Sequence, residues 1–183
     1  MECIDVLKGN GPKDLVEICI ELGSRMLGMG GKCQNTREAG EILRENLGSG
    51  KALEKFIRMV ELQNGDAGIA ERPEIMNLSE HYYDLKSTGS GYISSCNTRE
   101  IGNASMILGA GRTEYSEPVD HGVGVVCKKK IGDKVENDDV IFILYYRDEE
   151  SLTAAKKRLE NAITISPEKP EVPELIKESL GEI

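Results

Sequence analysis

The sequence predicts an α+β protein, a helical N-terminal segment followed by a strand-bearing C-terminal domain. Two observations carry this reading. Apolar residues recur at helical spacing through the first third of the chain and at strand spacing from residue 82 onward. Tyr, Val and Ile concentrate in short runs of the second region, bounded by Gly, Asn and Asp, as strands and their turns require. The expected division is a helical segment at 1–68, a connection at 69–81 and the C-terminal domain at 82–183.

The first residues, before Lys8, read as helix without a cap, as in a chain that begins inside one. Gly11-Pro12 opens the next helix, since a proline in the first turn gives up no intrahelical hydrogen bond. Leu15, Ile18, Cys19, Leu22 and Met26 form its apolar stripe, and Gly28, Gly30 and Gly31 end it. Asn35 with Glu38 reads as an N-cap and its reciprocal acid. Ala39, Ile42, Leu43 and Leu47 follow as a second stripe, stopped at Gly48. Ser49 is expected to cap a third helix bearing Leu53, Phe56, Ile57 and Val60, which ends near Gly65. Helices this short and close in sequence pack as antiparallel neighbours.

Residues 66–80 lack a period and read as connection. Strands are expected at 82–86, 91–96, 123–129 and 139–146, in a mostly antiparallel curved sheet. A short helix at 101–108 ends at Gly109 and Gly111, and Lys134 to Asp138 reads as polar turn. Asp148 begins a last helix with Leu152, Ala155, Leu159 and Ile163 on one face. Three prolines within 166–174 forbid a helix through that stretch, and a final turn is expected at 175–180.

Composition narrows the function. With 23 Lys+Arg against 32 Asp+Glu, the net charge of -9 opposes a nucleic-acid or anionic-membrane surface, both of which need clustered cations. No apolar run is long enough for a membrane span, and the first ten residues, MECIDVLKGN, are no signal peptide. Cys3, Cys19, Cys33, Cys96 and Cys127 contain no C-x-x-C pair and are odd in number, which reads as reduced thiols in a cytoplasmic protein. His81 and His121 stand at no ligand spacing to each other or to a cysteine, so no metal and no cofactor is expected.

The glycine clusters do not complete a phosphate motif. Gly48-Ser49-Gly50-Lys51 resembles the end of a P-loop, but Glu45 stands where its first glycine is required and Ala52 where Ser or Thr would bind magnesium. Gly109-Ala110-Gly111 and Gly122-Val123-Gly124 each lack the third glycine of a dinucleotide loop. Asp120 and His121 have the residue types of an acid–base pair, but sequence neighbours in a strand point apart. No catalytic or substrate-binding residue is nominated from spacing.

The stretch from Gly89 to Ser95, followed by KKKIGDKVENDDVIFIL (128–144), resembles the α/β-hammerhead or barrel-sandwich folds of biotinyl and lipoyl carriers. Carriers need an acceptor lysine on a tight turn after the last strand. Here the chain reads Leu144-Tyr145-Tyr146-Arg147-Asp148 and turns into a helix. A free-standing interaction module with this fold, without the carrier lysine, is therefore one functional reading.

The other rests on a wider resemblance. LKGNGPKDLVEICIELGSRML (7–27), SGKALEKFIRMVELQNGD (49–66), SGYI (90–93), IGNASMILGAGR (101–112), DHGVGVVCKKKIGDKV (120–135) and VPELIKESL (172–180) resemble, in order and spacing, the C-terminal portion of the pyrimidine-nucleoside phosphorylases, the family that includes thymidine phosphorylase. The resemblance implies a parent enzyme that splits pyrimidine nucleosides with phosphate into free base and (deoxy)ribose 1-phosphate. It implies as partner an upstream catalytic portion of the same enzyme, with a homodimer as a further expectation. The family's signature, of the form S-G-R-x-x-x-T-G-G-T-x-D-x-x-E, and its phosphate- and base-binding residues belong upstream of the matched stretch. No position here matches one of them, so none is carried over, and the chain alone is expected to be inactive. The resemblance also implies that the loop after LGAGR faces an interdomain cleft. Arg112, Thr113, Glu114 and Tyr115 are the candidate closure loop, with Arg112 either bridging to a facing domain or capping the helix that precedes it.

Overall fold

A computed structural model describes residues 1–112 and 114–181. They form two units, one of Met1–Ile75 with the chain from Glu174, the other of Met76–Pro173.

The first unit holds four helices, α1 (Glu2–Leu7), α2 (Lys13–Met29), α3 (Thr36–Gly48) and α4 (Lys51–Leu62). The Asn35 side chain accepts the Glu38 N–H at 2.9 Å, and the Glu38 carboxylate reaches back to the Gln34 N–H at 3.0 Å. The expected cap is thus present, with its reciprocal bond one residue further out. α2 continues through Gly28 to Met29 and is capped at Gly30. Ser49 is not the cap of α4. Gly50 takes that place at φ 81, and the Ser49 hydroxyl donates to the Asn46 carbonyl at 3.4 Å. The junction needs a left-handed residue, which glycine supplies and serine does not.

The buried face of α2 also differs from the expected stripe. Ile20 and Ser24 are its buried residues, while Leu22, Met26 and Met29 are exposed. The reason is close packing of α2 on α3 through small side chains. A Cβ on Gly23 would stand 2.9 Å from Leu43, and one on Gly40 3.4 Å from the Ser24 hydroxyl, beside the fully buried Ala39. Ser24 enters this contact because its hydroxyl donates to the Ile20 carbonyl at 2.6 Å. Two 3-10 turns follow, Ala67–Ala70 and Pro73–Met76, the first capped by Asp66. No helix forms at the expected turn of 175–180.

The second unit carries six strands and two helices: β1 (Tyr82–Lys86), β2 (Gly91–Cys96), α5 (Thr98–Ser105), β3 (Gly124–Cys127), β4 (Lys134–Val135), β5 (Val140–Tyr145), α6 (Glu149–Glu160) and β6 (Ile163–Ser166). The strands make two three-stranded sheets, ordered β1-β5-β3 and β4-β2-β6, rather than one. Every pair is antiparallel, with Tyr83 opposite Leu144 and Val125 opposite the same Leu144. β4 lies in the stretch expected to be turn, and β6 begins at Ile163, which the pattern assigned to the last helix.

Between the sheets and helices lies one core of Leu85, Ile93, Ala104, Leu108, Val135, Ile141, Phe142, Leu144, Leu152, Ala155 and Leu159. β5 is central to its sheet, which explains its near-continuous apolar sequence. Asn97 caps α5 by accepting the Glu100 N–H, and Asp148 caps α6 by accepting the Ser151 N–H at 2.8 Å. The mixture of helices and antiparallel sheets is the α+β class.

Candidate functional site

The candidate loop starts where α5 ends. Beyond Ser105 the chain widens into a π-turn over Met106–Ala110, and Gly109 takes φ 105 to turn out of it. Gly111 then runs extended. Arg112 is exposed. Glu114 and Glu117 close a small turn, with the Glu117 N–H donating to the Glu114 carbonyl at 3.1 Å and the Glu114 N–H to the Glu117 carboxylate at 3.2 Å. Tyr115 stands on this turn at 95% exposure. Arg112, Glu114 and Tyr115 therefore share the outer arm of the loop, while Thr113 lies outside the described residues.

The return arm is tied down. The Asp120 N–H donates to the Gly109 carbonyl at 2.9 Å and closes the loop at its neck. Both Asp120 carboxylate oxygens are occupied, one by the Arg147 Nε at 3.0 Å, the other by the Gly122 N–H at 2.8 Å. Arg147, then Gly122, hold the Asp120 carboxyl below the ordinary carboxylate range, and the same bond raises Arg147. An Asp120–His121 acid–base pair does not form, because the carboxylate is committed to Arg147 and Gly122.

Sheet register explains how residues 27 positions apart meet. Gly124 on β3 pairs with Tyr145 on β5, so the chain entering β3 and the chain leaving β5 emerge at the same end of the sheet. The segment before β1 joins them there. Ser79 N–H donates to the Gly122 carbonyl at 2.8 Å, and Tyr146 N–H to the His81 carbonyl at 3.2 Å. A hollow of about 480 Å³ lies beside the neck, bordered by Met76, Asn77, Gly109, Pro118, His121 and Arg147.

Arg147 was not foreseen from the sequence. The available signal was an arginine directly after a strand whose partner strand is preceded by an aspartate. Among the described residues no three His, Cys, Asp or Glu side chains cluster as metal ligands, and no helix is long and apolar enough to cross a membrane.

The first unit carries a different feature. An apolar groove of about 320 Å³ is lined by residues including Cys3, Val6, Leu15, Cys19, Ile20 and Leu43.

Comparison with known proteins covers most of the chain. Residues 92–166 match the family described as the pyrimidine nucleoside phosphorylase C-terminal domain. The pyrimidine-nucleoside phosphorylases of Staphylococcus aureus strains USA300 and NCTC 8325 / PS 47 are each 39% identical over 165 residues, which is 90% of this chain. The enzyme of the bovine strain RF122/ET3-1 matches to the same extent. The chain spans 38% of the length of these curated relatives. By both comparisons it corresponds in sequence to the C-terminal portion of the pyrimidine-nucleoside phosphorylase family.

Proposed function

We propose that this chain is the C-terminal structural part of a pyrimidine-nucleoside phosphorylase acting in the cytoplasm. The observation that carries the reading is the match of 165 residues, through both the helical and the strand-bearing regions, to enzymes that bear that name. In the proposed reaction a phosphate oxygen bonds to the anomeric carbon of thymidine or uridine. The glycosidic C–N bond breaks, and its electron pair leaves with the base, which takes up a proton. Orientation of phosphate and stabilisation of the departing base carry such a step. The groups for both belong to an upstream portion of the enzyme. The present chain contributes scaffold through 1–68, a domain of hammerhead type over 82–183, and the loop bearing Arg112, Thr113, Glu114 and Tyr115 toward the cleft.

The apolar groove on the first unit is the surface we assign to the upstream portion. Its lining from Val6, Leu15, Ile20 and Leu43 fits an apolar element, and the relatives have 62% of their length beyond the matched share (100% less 38%) to supply one. The alternative, a free-standing interaction module, has one observation in its favour: the core from Leu85 to Leu159 lies wholly within the second unit.

The test is phosphorolysis. The purified chain releases no free base from thymidine or uridine with phosphate, and the chain combined with the upstream portion of a relative does. Phosphate-dependent base release by the chain alone overturns the assignment of chemistry to the upstream portion. Failure of any upstream portion to bind it favours the module.

A further inference from the structure

We propose that Asp120 and Arg147 are positioning residues, whose ion pair locks the neck of the 110–119 loop and so fixes where Arg112 and Tyr115 are presented. The proposal rests on the reading of this loop as a cleft element and names the device that holds it in place.

Three observations support it. First, among the described residues the neck is closed by one backbone bond, from Asp120 N–H to the Gly109 carbonyl, and Gly109 sits at φ 105, where the chain changes direction. One hydrogen bond at a glycine hinge is a weak closure. Asp120 converts it into a three-point anchor by bonding Arg147 and Gly122 as well.

Second, the anchor reaches the core. Arg147 is separated from the end of β5 by Tyr146 alone, and β5 carries the fully buried Phe142 and Leu144. The loop's return arm is thus tied to a strand of the core.

Third, the backbone beneath the guanidinium is shaped for it. A Cβ on Gly122 would stand 2.6 Å from Arg147 Nη2 and 2.6 Å from the Asn77 carbonyl oxygen. The guanidinium therefore lies against bare backbone, a contact that a lysine ammonium on its flexible stem does not reproduce. A surface ion pair without such support contributes little, because both side chains must be ordered to form it.

The pair is 47% and 37% exposed, so its effect belongs to the surface range, at most about fivefold in the open population. Proteolysis of a folded chain reads that population when reclosing is fast. The experiment compares the full chain with R147A, R147K and D120N. Trypsin cleavage after Arg112 and glutamyl-endopeptidase cleavage after Glu114 are timed against tryptic cleavage after Arg58 in the first unit. The expected result is loop cleavage about three- to fivefold faster in R147A and D120N, with R147K between these and the parent and cleavage at Arg58 unchanged. Unchanged loop cleavage in a folded variant overturns the proposal. Should R147A not fold, the parent chain at raised salt supplies a second measure. Loop cleavage must quicken as screening weakens the pair, and a salt-independent rate overturns the proposal equally.

This result is independent of phosphorolysis, so failure of the enzyme reading leaves it standing or falling alone. In the enzyme completed with its upstream portion, R147A raises KM for the nucleoside severalfold while kcat changes less, and R147K recovers part of the loss. Equal KM in parent and R147A removes the positioning role.

Discussion

Gly91 lies against the Ser166 carbonyl so closely that a Cβ on it would stand 2.4 Å from that oxygen. Its φ of 153 is one that L side chains rarely adopt. The contact sits at the start of β2, where Tyr92 pairs with Ser166 on β6. A glycine in a strand marks a close backbone approach, and this one, at the first position of β2, lies where β2 and β6 come together. Gly91→Ala is expected to destabilise the second unit by about 1–3 kcal/mol. Gly89, with open space around its Cβ position, is the control. Urea unfolding followed by circular dichroism checks the pair, and equal midpoints for the two variants would contradict the contact.

Phe142 is the largest fully buried side chain of the core and stands opposite both Leu85 and Cys127 across β5. Truncation leaves a cavity that the antiparallel strands on either side cannot collapse into. Phe142→Ala should cost about 3–5 kcal/mol. Its midpoint in urea, compared with that of the exposed-site variant Val126→Ala, tests this. A loss below that of Val126→Ala shows a core that repacks freely.

The carboxylates of Asp120, Asp139 and Asp148 are held low by their partners: Arg147 and Gly122 for the first, the Glu136 N–H and Lys129 for the second, the Ser151 N–H and hydroxyl for the third. A carboxyl lower in the folded than in the unfolded chain adds stability that is complete above its unfolded value, about 3.9. That stability is lost as pH falls through the lower folded value. The second unit is therefore expected to be equally stable from pH 7 to 5 as far as these groups are concerned, and to weaken progressively below about pH 4. D120N should flatten part of that decline. A decline of unchanged slope in D120N shows that Asp120 has no stabilising role.

Leu22, Met26, Met29, Met59 and Leu62 are exposed on α2 and α4, at 48 to 73%. Covering even about 400 Å² of such surface favours association by about 10 kcal/mol before the entropic costs of binding. The isolated chain is expected to self-associate at micromolar concentration, and Met26→Glu with Met29→Glu to shift it toward monomer. Sedimentation velocity measures both. A parent chain that is monomeric throughout and takes up no hydrophobic dye rules the association out.

The sequence by itself determined the α+β class, the resemblance to the pyrimidine-nucleoside phosphorylases and those elements whose signals are local. Asn35 was legible as a cap, and Asp148 as the start of the last helix, because a helix start is marked by a side chain bonding its own neighbours three residues on. Strands β1, β2, β3 and β5 were legible because apolar residues over several positions mark a buried strand. Only the tertiary structure decided the remainder. β4 has two residues, too few for any period, and exists because Gly91 and Tyr92 offer it a ladder. β6 was hidden because Ile163 fits the helical spacing of α6 as well as it fits a strand, and pairing with Cys96 settles the choice. The buried face of α2 follows Ile20 and Ser24 rather than the larger side chains, because α3 approaches where side chains are small. The Asp120–Arg147 neck depends on β3 and β5 pairing in one register, which brings together residues that no local pattern connects.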